Sequence, residues 1–357
     1  MKSKRLLPII QGLLAAFLFG ASAPISKLLL ADISPVFLAA LLYLGSGLGL
    51  LGIKSLTVMG HQENQEARLA GSDWLWLAGA IVCGGVIAPI LLMVSLTKTP
   101  AATASLLLNF EGVSTTLLAA IIFKESISRH AWWAIGLITL ASILLSTDFT
   151  KQWGFSLSAL GVLVACLMWG VDNNLTRNIS AKDPLASVAV KGLGAGMVSL
   201  LIALALGNPF PRLGSILLAL LLGFLSYGLS IFLFVHAMRG LGAGRTSALF
   251  GTAPLAGILL SIIIFRENPG IFFLFALVIM ASGAYILIKE DHSHEHLHDE
   301  FVHDHRHAHL DGHHVHEHAA GSANQSHSHI HIHDSLKHTH DHAPDLHHRH
   351  SHKSDPV

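Results

Sequence analysis

One apolar segment, residues 103–123, carries a carboxylate at a depth where a membrane makes charge costly. It reads TASLLLNFEGVSTTLLAAIIF, with Asn109 and Glu111 near its middle. Crossing a bilayer takes about 20 residues at 1.5 Å each, so the segment is long enough to span. A central carboxylate costs about 2.5 kcal/mol or more unless it is protonated, paired or beside water. We expect Glu111 to bind substrate or carry a proton, with Asn109 orienting it. The simpler alternative is a protonated Glu111 bonded to a neighbouring helix.

A second polar cluster ends the apolar segment at 157–178. It reads Trp169-Gly170-Val171-Asp172-Asn173-Asn174, and Lys191 lies about two turns into the next apolar segment. An Asp172–Lys191 ion pair would let both groups stay charged inside a membrane. We expect these polar residues to line an inner vestibule: Asp172, Asn173, Asn174 and Lys191. The alternative is that Lys191 extends its amino group to the interface and Asp172 simply faces water.

From Asp291 onward the chain changes character, and we call residues 291–357 the tail. All of the 26 histidines lie there except His61, His130 and His236. Most follow a His-x-His spacing, and the candidate metal ligands are His292, His294, His296, His298, His303, His305, His307, His309, His313, His314, His316, His318, His327, His329, His331 and His333. Because so polar a segment cannot bury a hydrophobic core, we expect it to be disordered when free of metal.

Imidazole is the commonest metal ligand and, with nearby carboxylates, suits Zn²⁺, Ni²⁺ or Co²⁺. The spacing matches no single tetrahedral site, which predicts several weak, exchangeable sites. We expect no required cofactor. A solvated, pH-responsive tail without a metal role is the alternative.

The overall composition is that of a membrane protein. Hydrophobic residues make up 52% of the chain and charged residues 12%, and the mean hydropathy is +0.57. Soluble domains carry about 25% charged residues. The formal net charge is zero, so no basic surface for nucleic acid is indicated. The two cysteines, Cys83 and Cys166, have no CxxC spacing. The spans show no nucleophile–base–metal constellation, so we do not expect an enzyme.

Ten apolar segments approach the length of a membrane span. They lie at 8–30, 35–53, 74–96, 101–123, 130–147, 157–178, 185–206, 215–238, 243–265 and 270–288. With the N-terminus inside, the opposite side holds only Lys27, Lys98, Lys151, Arg212 and Arg266 among the Lys and Arg residues of the links. By the positive-inside rule, we expect both termini in the cytoplasm of a plasma or inner membrane.

The two halves of the chain repeat one another. A shift of 142 residues places Phe123-Lys124-Glu125 on Phe265-Arg266-Glu267, with similar apolar segments before and after. Five spans per repeat is an odd number, so the second half must enter the membrane in the opposite sense. The predicted fold is therefore an all-α membrane protein with ten transmembrane helices. Residues 1–148 and 149–290 form two inverted five-helix repeats, and the disordered His-rich tail, 291–357, follows.

This layout resembles the EamA-type family of the drug/metabolite transporter superfamily. The resemblance covers about residues 5–290 and rests on the five-plus-five arrangement, with Phe-Lys/Arg-Glu after the fourth span of each half. It implies a secondary transporter, commonly an exporter of small metabolites. In such proteins the fourth span often has a central proline. Thr252-Ala253-Pro254 fits this in the second half, whereas Asn109-Phe110-Glu111-Gly112 occupies the first.

The predicted function is thus a secondary transporter that works by alternating access, with proton coupling at Glu111. One alternative is a divalent-metal exporter whose tail collects Zn²⁺, Ni²⁺ or Co²⁺. Another is a membrane metal sensor that transports nothing. The expected partners are the lipid bilayer, a small-molecule substrate and divalent metal ions at the tail, and the sequence is compatible with a homodimer.

Overall fold

The computed structural model describes residues 3–59, 67, 69, 71–123, 129–148, 154–180, 182–241, 243–267, 269–288, 292–298, 301–307, 327–333 and 336–342. Helices dominate the part before residue 289. They are α1 (Ser3–Gly20), α2 (Ser22–Leu29), α3 (Pro35–Met59), α4 (Asp73–Ala80), α5 (Ala88–Leu96), α6 (Ala101–Leu107), α7 (Phe110–Phe123), α8 (Arg129–Ser146), α9 (Leu157–Thr176), α10 (Pro184–Ala205), α11 (Leu213–Gly223), α12 (Ser230–Leu241), α13 (Ala243–Phe250), α14 (Ala253–Phe265) and α15 (Ile271–Ile288).

Three shorter helical pieces and one small β-pair complete this part. A first π-helix, Ile81–Ile87, joins α4 to α5, and a second π-helix, Phe224–Leu229, joins α11 to α12. A 3₁₀ turn, Arg177–Ile179, extends α9. The strands β1 (Thr147–Asp148) and β2 (Gly154–Phe155) pair antiparallel in the link between α8 and α9.

Eight helical stretches of the described chain are long and apolar enough to cross a membrane. They are Leu6–Leu29, Pro35–Ser55, Asp73–Leu96, Ala101–Ile122, Arg129–Ser146, Leu157–Ile179, Pro184–Ala205 and Leu213–Met238. Two shorter apolar helices, Ala253–Phe265 and Ile271–Ile286, follow them. The ninth segment predicted from hydropathy, 243–265, does not form one long helix, and only its second part, Ala253–Phe265, is among these shorter apolar helices. The reason is a break at Gly251 and Thr252, which separates α13 from α14.

The short links make consecutive membrane segments run in opposite directions. We call the end of the bundle where α1 begins the N-terminal face, and the end where α2 finishes the distal face. At the N-terminal face, Lys54 pairs with Asp183 at 2.8 Å. Lys182 lies 3.6 Å from Asp73 on the same face. These pairs connect the last turns of α3 and the start of α4 to the two residues before α10, so the two halves of the chain touch at this face.

Glycines let α3 and α10 cross at very short range. A Cβ on Gly192 would lie 2.7 Å from the backbone nitrogen of Gly47, and a Cβ on Gly196 would lie 2.7 Å from that of Leu44. No real Cβ makes such contacts, so only glycine fits at these positions. Close approach of this kind holds helices together in a bilayer, where packing replaces the hydrophobic effect.

The two π-helices widen the membrane segments that contain them. Pro89 follows the first one, and its ring cannot fit against a regular turn because it displaces the carbonyl four residues earlier. The carbonyl oxygen of Gly84 lies five residues before Pro89, which has no N–H to donate in the π-helical pattern. It accepts two side-chain hydrogen bonds, from Tyr43 Oη at 2.7 Å and from Trp169 Nε1 at 2.9 Å. The π-helix thereby connects three separate segments through one backbone atom.

The outer surface of the helical bundle is apolar. Large side chains such as Leu75, Ile121 and Leu201 are 78%, 74% and 60% exposed. A soluble protein rarely exposes so continuous an apolar surface, whereas lipid requires it. Trp132 and Trp133, also exposed, stand at the start of α8, a position typical of aromatic anchors at the membrane interface.

The described parts of the tail form strands, where the sequence predicts disorder. They are β3 (His292–His298), β4 (Phe301–His307), β5 (His327–His333) and β6 (Leu336–His342). Strand β3 pairs antiparallel with β6, and β4 pairs antiparallel with β5. His-x-His alternation has a period of two, which is also the period of a strand. That the tail is disordered when free of metal stays a prediction.

Candidate functional site

A break in the fourth membrane segment positions the central carboxylate. Helix α6 ends at Leu107, Leu108 and Asn109 form a turn, and α7 begins at Phe110. The Asn109 side chain donates to the Leu106 carbonyl at 3.1 Å and so satisfies part of the broken turn. Glu111 therefore sits in the first turn of α7, where the positive end of the helix dipole favours a negative charge.

A second break faces the first one. Helix α13 ends at Phe250, and α14 begins at Ala253 with Pro254 in its first turn. Proline is favoured in a first turn because its missing N–H would have no partner there anyway. Between the two helices, the Thr252 hydroxyl donates to the Leu249 carbonyl at 2.7 Å. Discontinuous membrane helices of this kind are typical of substrate sites in transporters.

A cavity of about 410 Å³ lies against both breaks. Its volume is within the range of about 300–1,000 Å³ that small-molecule sites occupy. The described residues that line it are Phe19, Gly20, Ser105, Leu108, Asn109, Glu111, Gly112, Thr115, Thr116, Ile138, Asn173, Phe234, Ser247, Phe250, Gly251, Ala253, Pro254 and Ala284. Both halves of the chain contribute to this wall, and most of the wall is apolar.

The polar centre of the cavity joins α7 to α9. The amide nitrogen of Asn173 donates to Glu111 Oε1 at 2.8 Å and lies 3.1 Å from Thr115 Oγ1. Glu111 is half-buried, and Asn173 is exposed toward the cavity. An ionised carboxylate can accept about four hydrogen bonds, so Glu111 keeps capacity for a ligand. Among the described lining residues, Glu111 alone has an ionisable side chain.

Three phenyl rings of the lining, from α1, α12 and α13, pack against one another. The ring centroids of Phe19 and Phe250 are 5.1 Å apart, and those of Phe234 and Phe250 are 5.0 Å apart. These spacings are in the range of favourable aromatic pairs. We call Phe19, Phe234 and Phe250 the aromatic wall.

Asp172 does not belong to the described cavity lining, although Asn173 beside it does. The Asp172 carboxylate pairs with Lys191 and accepts a hydrogen bond from the Thr176 hydroxyl at 3.0 Å. The Asp172 side chain is 5% exposed, and a Cβ on Gly84 would overlap its carboxylate. The ion pair expected from the sequence is therefore present, but it is buried between helices and lines no part of the described cavity.

Asn174 serves helix packing. Its amide nitrogen donates to the Thr115 carbonyl at 3.0 Å and to the Gly170 carbonyl at 2.8 Å. Successive residues of an α-helix point about 100° apart, because a turn takes 3.6 residues. For that reason Asp172, Asn173 and Asn174 reach three different neighbours. Of the six predicted site residues, the cavity brings together Asn109, Glu111 and Asn173.

Sequence reasoning missed the aromatic wall and the hydroxyl groups of Ser105, Thr116 and Ser247. Phenylalanine is ordinary in an apolar segment, so its position along the chain carries no signal of a site. The adjacent pair Thr115–Thr116, two turns after Asn109, was the available clue, since polar side chains in a membrane helix usually face the protein interior.

The predicted metal ligands fall into two groups. His292 to His298 lie in β3, His303 to His307 in β4, and His327 to His333 in β5, whereas His309, His313, His314, His316 and His318 lie outside the described residues. The register opposes His303 to His331, His305 to His329 and His307 to His327. The part of the chain that the structure describes contains no group of three or more His, Cys, Asp or Glu residues that could hold a metal ion.

Comparison with known proteins decides the family. Residues 6–147 and 156–289 both match the sequence model of the EamA-like transporter family. The chain belongs to the EamA-like transporter family. Membership confirms the resemblance noted from the sequence and, together with the apolar helices, makes this EamA protein a multi-pass integral membrane protein.

Two individual relatives of this EamA chain are also named as transporters. It is 32% identical over 298 residues to an uncharacterized transporter of Methanothermobacter thermautotrophicus, which covers 80% of this chain and 87% of that relative. It is 26% identical over 207 residues to an uncharacterized transporter of Synechocystis sp., covering 53% of this chain and 60% of the relative. A solved crystal structure shares the fold with a TM-score of 0.56 and 19% identity, over 79% of this chain and 96% of the other.

Proposed function

We propose that this EamA protein is a secondary transporter that exports a small metabolite by alternating access, with its substrate held in the cavity at Glu111. The observation that carries the proposal is the cavity itself. It lies between two broken membrane helices from different halves of the chain and contains a single ionisable group among its described lining residues. Such a site at mid-membrane depth suits transport better than structural support.

The proposal includes two inverted five-span repeats, residues 1–148 and 149–290. Supporting this, the family sequence model matches the chain twice, at 6–147 and 156–289. The two π-helices begin at Ile81 and Phe224, which are 143 positions apart (224 − 81). The helices after the two breaks begin at Phe110 and Ala253, which are also 143 positions apart (253 − 110). Matching irregularities at one spacing are expected of a duplicated fold.

Closure of the distal face supports alternating access. Glu267 accepts hydrogen bonds from the backbone N–H groups of Ala101 at 2.8 Å and Ala102 at 3.0 Å. Beside it, the Lys27 amino group donates to the Thr99 carbonyl and lies 5.8 Å from the Phe265 ring centroid. We call these contacts the distal latch. They connect the start of α6 in the first half with the end of α14 in the second half.

The cavity itself lies toward the N-terminal face. Thr115 and Thr116 follow the break in α7 in the direction of that face, and Ser247 lies one turn from the start of α13. We therefore propose a state that is closed at the distal face. With both termini in the cytoplasm, as the Lys and Arg distribution favours, this state receives substrate from inside the cell.

Loosening the distal latch should open the distal face. Glu267→Ala removes the acceptor for two helix N-terminal N–H groups, a loss of about 0.5–2 kcal/mol, or roughly 2- to 30-fold in the open population. The measurement is the rate at which a membrane-impermeant thiol reagent, added from the distal side, labels Ser105→Cys in a chain lacking Cys83 and Cys166. We expect faster labelling in Glu267→Ala, and an intermediate rate in Glu267→Gln.

Lys98→Ala is the matched control, because it removes a charge from the same distal link. An equal rise in labelling for Lys98→Ala, or none for Glu267→Ala, would contradict the latch.

The transport proposal is tested by comparing cells that express the full-length protein with cells that express Glu111→Gln. Untargeted profiling of metabolites in cells and medium should show at least one compound that leaves cells only with Glu111 present. Identical profiles at equal membrane abundance would overturn the proposal.

A divalent-metal exporter is the second candidate, because the strand register opposes histidines across both tail ladders. In this version the tail collects Zn²⁺, Ni²⁺ or Co²⁺ for the cavity. A protein that only senses metal is the third possibility.

Truncation after Lys289 separates these candidates. We expect the purified full-length protein to bind several Zn²⁺ or Ni²⁺ ions and the truncated protein to lose most of them, as measured by equilibrium dialysis. Metabolite export should survive truncation. Loss of cellular metal tolerance on truncation, together with metal accumulation in Glu111→Gln cells, would instead favour the metal exporter. A change confined to a signalling output would favour the sensor.

A further inference from the structure

The charge balance of the cavity points to the chemistry of its ligand. Glu111 alone among the described lining residues can carry a charge. The cation of Lys191 is already paired with Asp172, outside the described lining. The described hydrogen-bond donor to Glu111, the Asn173 amide, is neutral. An ionised Glu111 is therefore left without a protein counter-charge in this part of the site, and a cationic ligand would supply one.

The aromatic wall adds a second preference for a cation. Ring faces carry partial negative charge and attract ammonium groups, most strongly where water is excluded. Phe250 contacts both Phe19 and Phe234, so the three rings form one continuous surface along the cavity. An apolar body attached to the ammonium group would fit against Leu108, Ile138 and Pro254, which complete the described lining.

The same features disfavour other ligand classes. An anion would meet the Glu111 carboxylate and, among the described lining residues, no cationic side chain. A bare divalent metal ion would lose most of its water shell and would meet, among the described lining residues, one carboxylate and no histidine or cysteine.

We infer that the cavity binds an organic monocation, an ammonium group on an apolar body of small-molecule size. The ammonium pairs with Glu111, and the apolar body packs on the aromatic wall. This inference rests on the proposed function in assigning the cavity to the transported substrate, but the binding preference is a property of the cavity alone.

The test uses three small probes that share a benzyl group, with the purified full-length protein. They are benzyltrimethylammonium, its neutral isostere 2,2-dimethylpropylbenzene, and the anion phenylacetate, each measured by equilibrium dialysis. We expect the cation to bind at least about 10-fold more tightly than the isostere, as desolvated ion pairing predicts. Phenylacetate should not bind measurably.

Variants assign the preference to its source. Glu111→Gln keeps the shape of the side chain and should abolish the preference for the cation over the isostere. Glu295→Gln, the same change in the tail, should leave it intact. Phe250→Leu should weaken cation binding by about 3-fold more than isostere binding, as a lost cation–π contact predicts. Size-exclusion profiles identify any variant that fails to fold.

Equal affinity for cation and isostere would overturn the inference, as would a preference that survives Glu111→Gln or displacement of the cation by stoichiometric Zn²⁺. The two levels of proposal fail differently. Cation binding without Glu111-dependent flux in proteoliposomes would overturn the transport proposal and leave the binding inference standing. Glu111-dependent export of a neutral or anionic metabolite, with no cation preference, would overturn the binding inference and leave the transport proposal standing.

Discussion

Replacing Glu111 with glutamine will abolish transport and leave the amount of protein in the membrane unchanged. Glutamine keeps the size of the side chain and can still bond Asn173, which lies 2.8 Å from Glu111 Oε1. It cannot ionise, so it can neither pair with a cation nor exchange a proton. Removing a central charge also lowers the cost of membrane insertion, by about 2.5 kcal/mol or more, so folding should not suffer.

The measurement is flux of the Glu111-dependent metabolite, or of benzyltrimethylammonium, into inside-out vesicles at matched protein abundance. A proton gradient should accelerate flux in the unmodified protein. Glu295→Gln is the matched control, because it makes the same chemical change in the tail. Normal flux in Glu111→Gln would contradict both proton coupling and substrate binding at this residue.

Replacing Lys191 with methionine will strongly destabilise the protein. Asp172 is 3% exposed, and Lys191 is its cationic partner in the structure. Removing one member of a buried ion pair leaves the other charge uncompensated, which costs about 3–5 kcal/mol. The Asp172 carboxylate would retain the Thr176 hydroxyl as a neutral donor at 3.0 Å. That single neutral hydrogen bond is too weak to offset the loss.

The measurement is the thermal unfolding midpoint in detergent, followed by a dye that reacts with the buried thiol of Cys166 as it becomes exposed. The double variant Asp172→Asn/Lys191→Met removes both charges and should recover most of the lost stability. Lys182→Met is the matched control, because its partner Asp73 lies at 3.6 Å and is more exposed than Asp172. Its effect should be about 0–1 kcal/mol. A double variant no more stable than Lys191→Met would contradict the ion-pair explanation.

These two predictions separate roles that lie on neighbouring positions of one helix. Asn173 faces the cavity and bonds Glu111, whereas Asp172 faces α10 and bonds Lys191. In our proposal the first contact lies at the ligand site, whereas the second joins α9 to α10. A polar residue in a membrane helix can thus serve stability or function according to the side of the helix on which it lies.

The membrane character and the position of Glu111 follow from the sequence alone. Apolar segments of about 20 residues separated by short polar links predict membrane helices, because lipid requires internally bonded backbone and apolar surface. The same hydropathy pattern shows that Glu111 lies far from both ends of its segment. The free-energy cost of placing its charge in a membrane could therefore be inferred without a structure. The Asp172–Lys191 pair was also predictable, since two opposite charges at similar depth stabilise each other.

The structure alone decided what surrounds Glu111. Asn173 reaches it from a position 62 residues away, and the aromatic wall combines Phe19 with Phe234 and Phe250 from the other half of the chain. Hydropathy does not distinguish a phenylalanine that faces a cavity from one that faces lipid, because both environments are apolar. In the tail, too, the strand register that opposes histidines depends on pairing between segments distant in sequence. Rotation of each helix and contact between distant segments determine these neighbours, and a linear pattern of residue types contains neither.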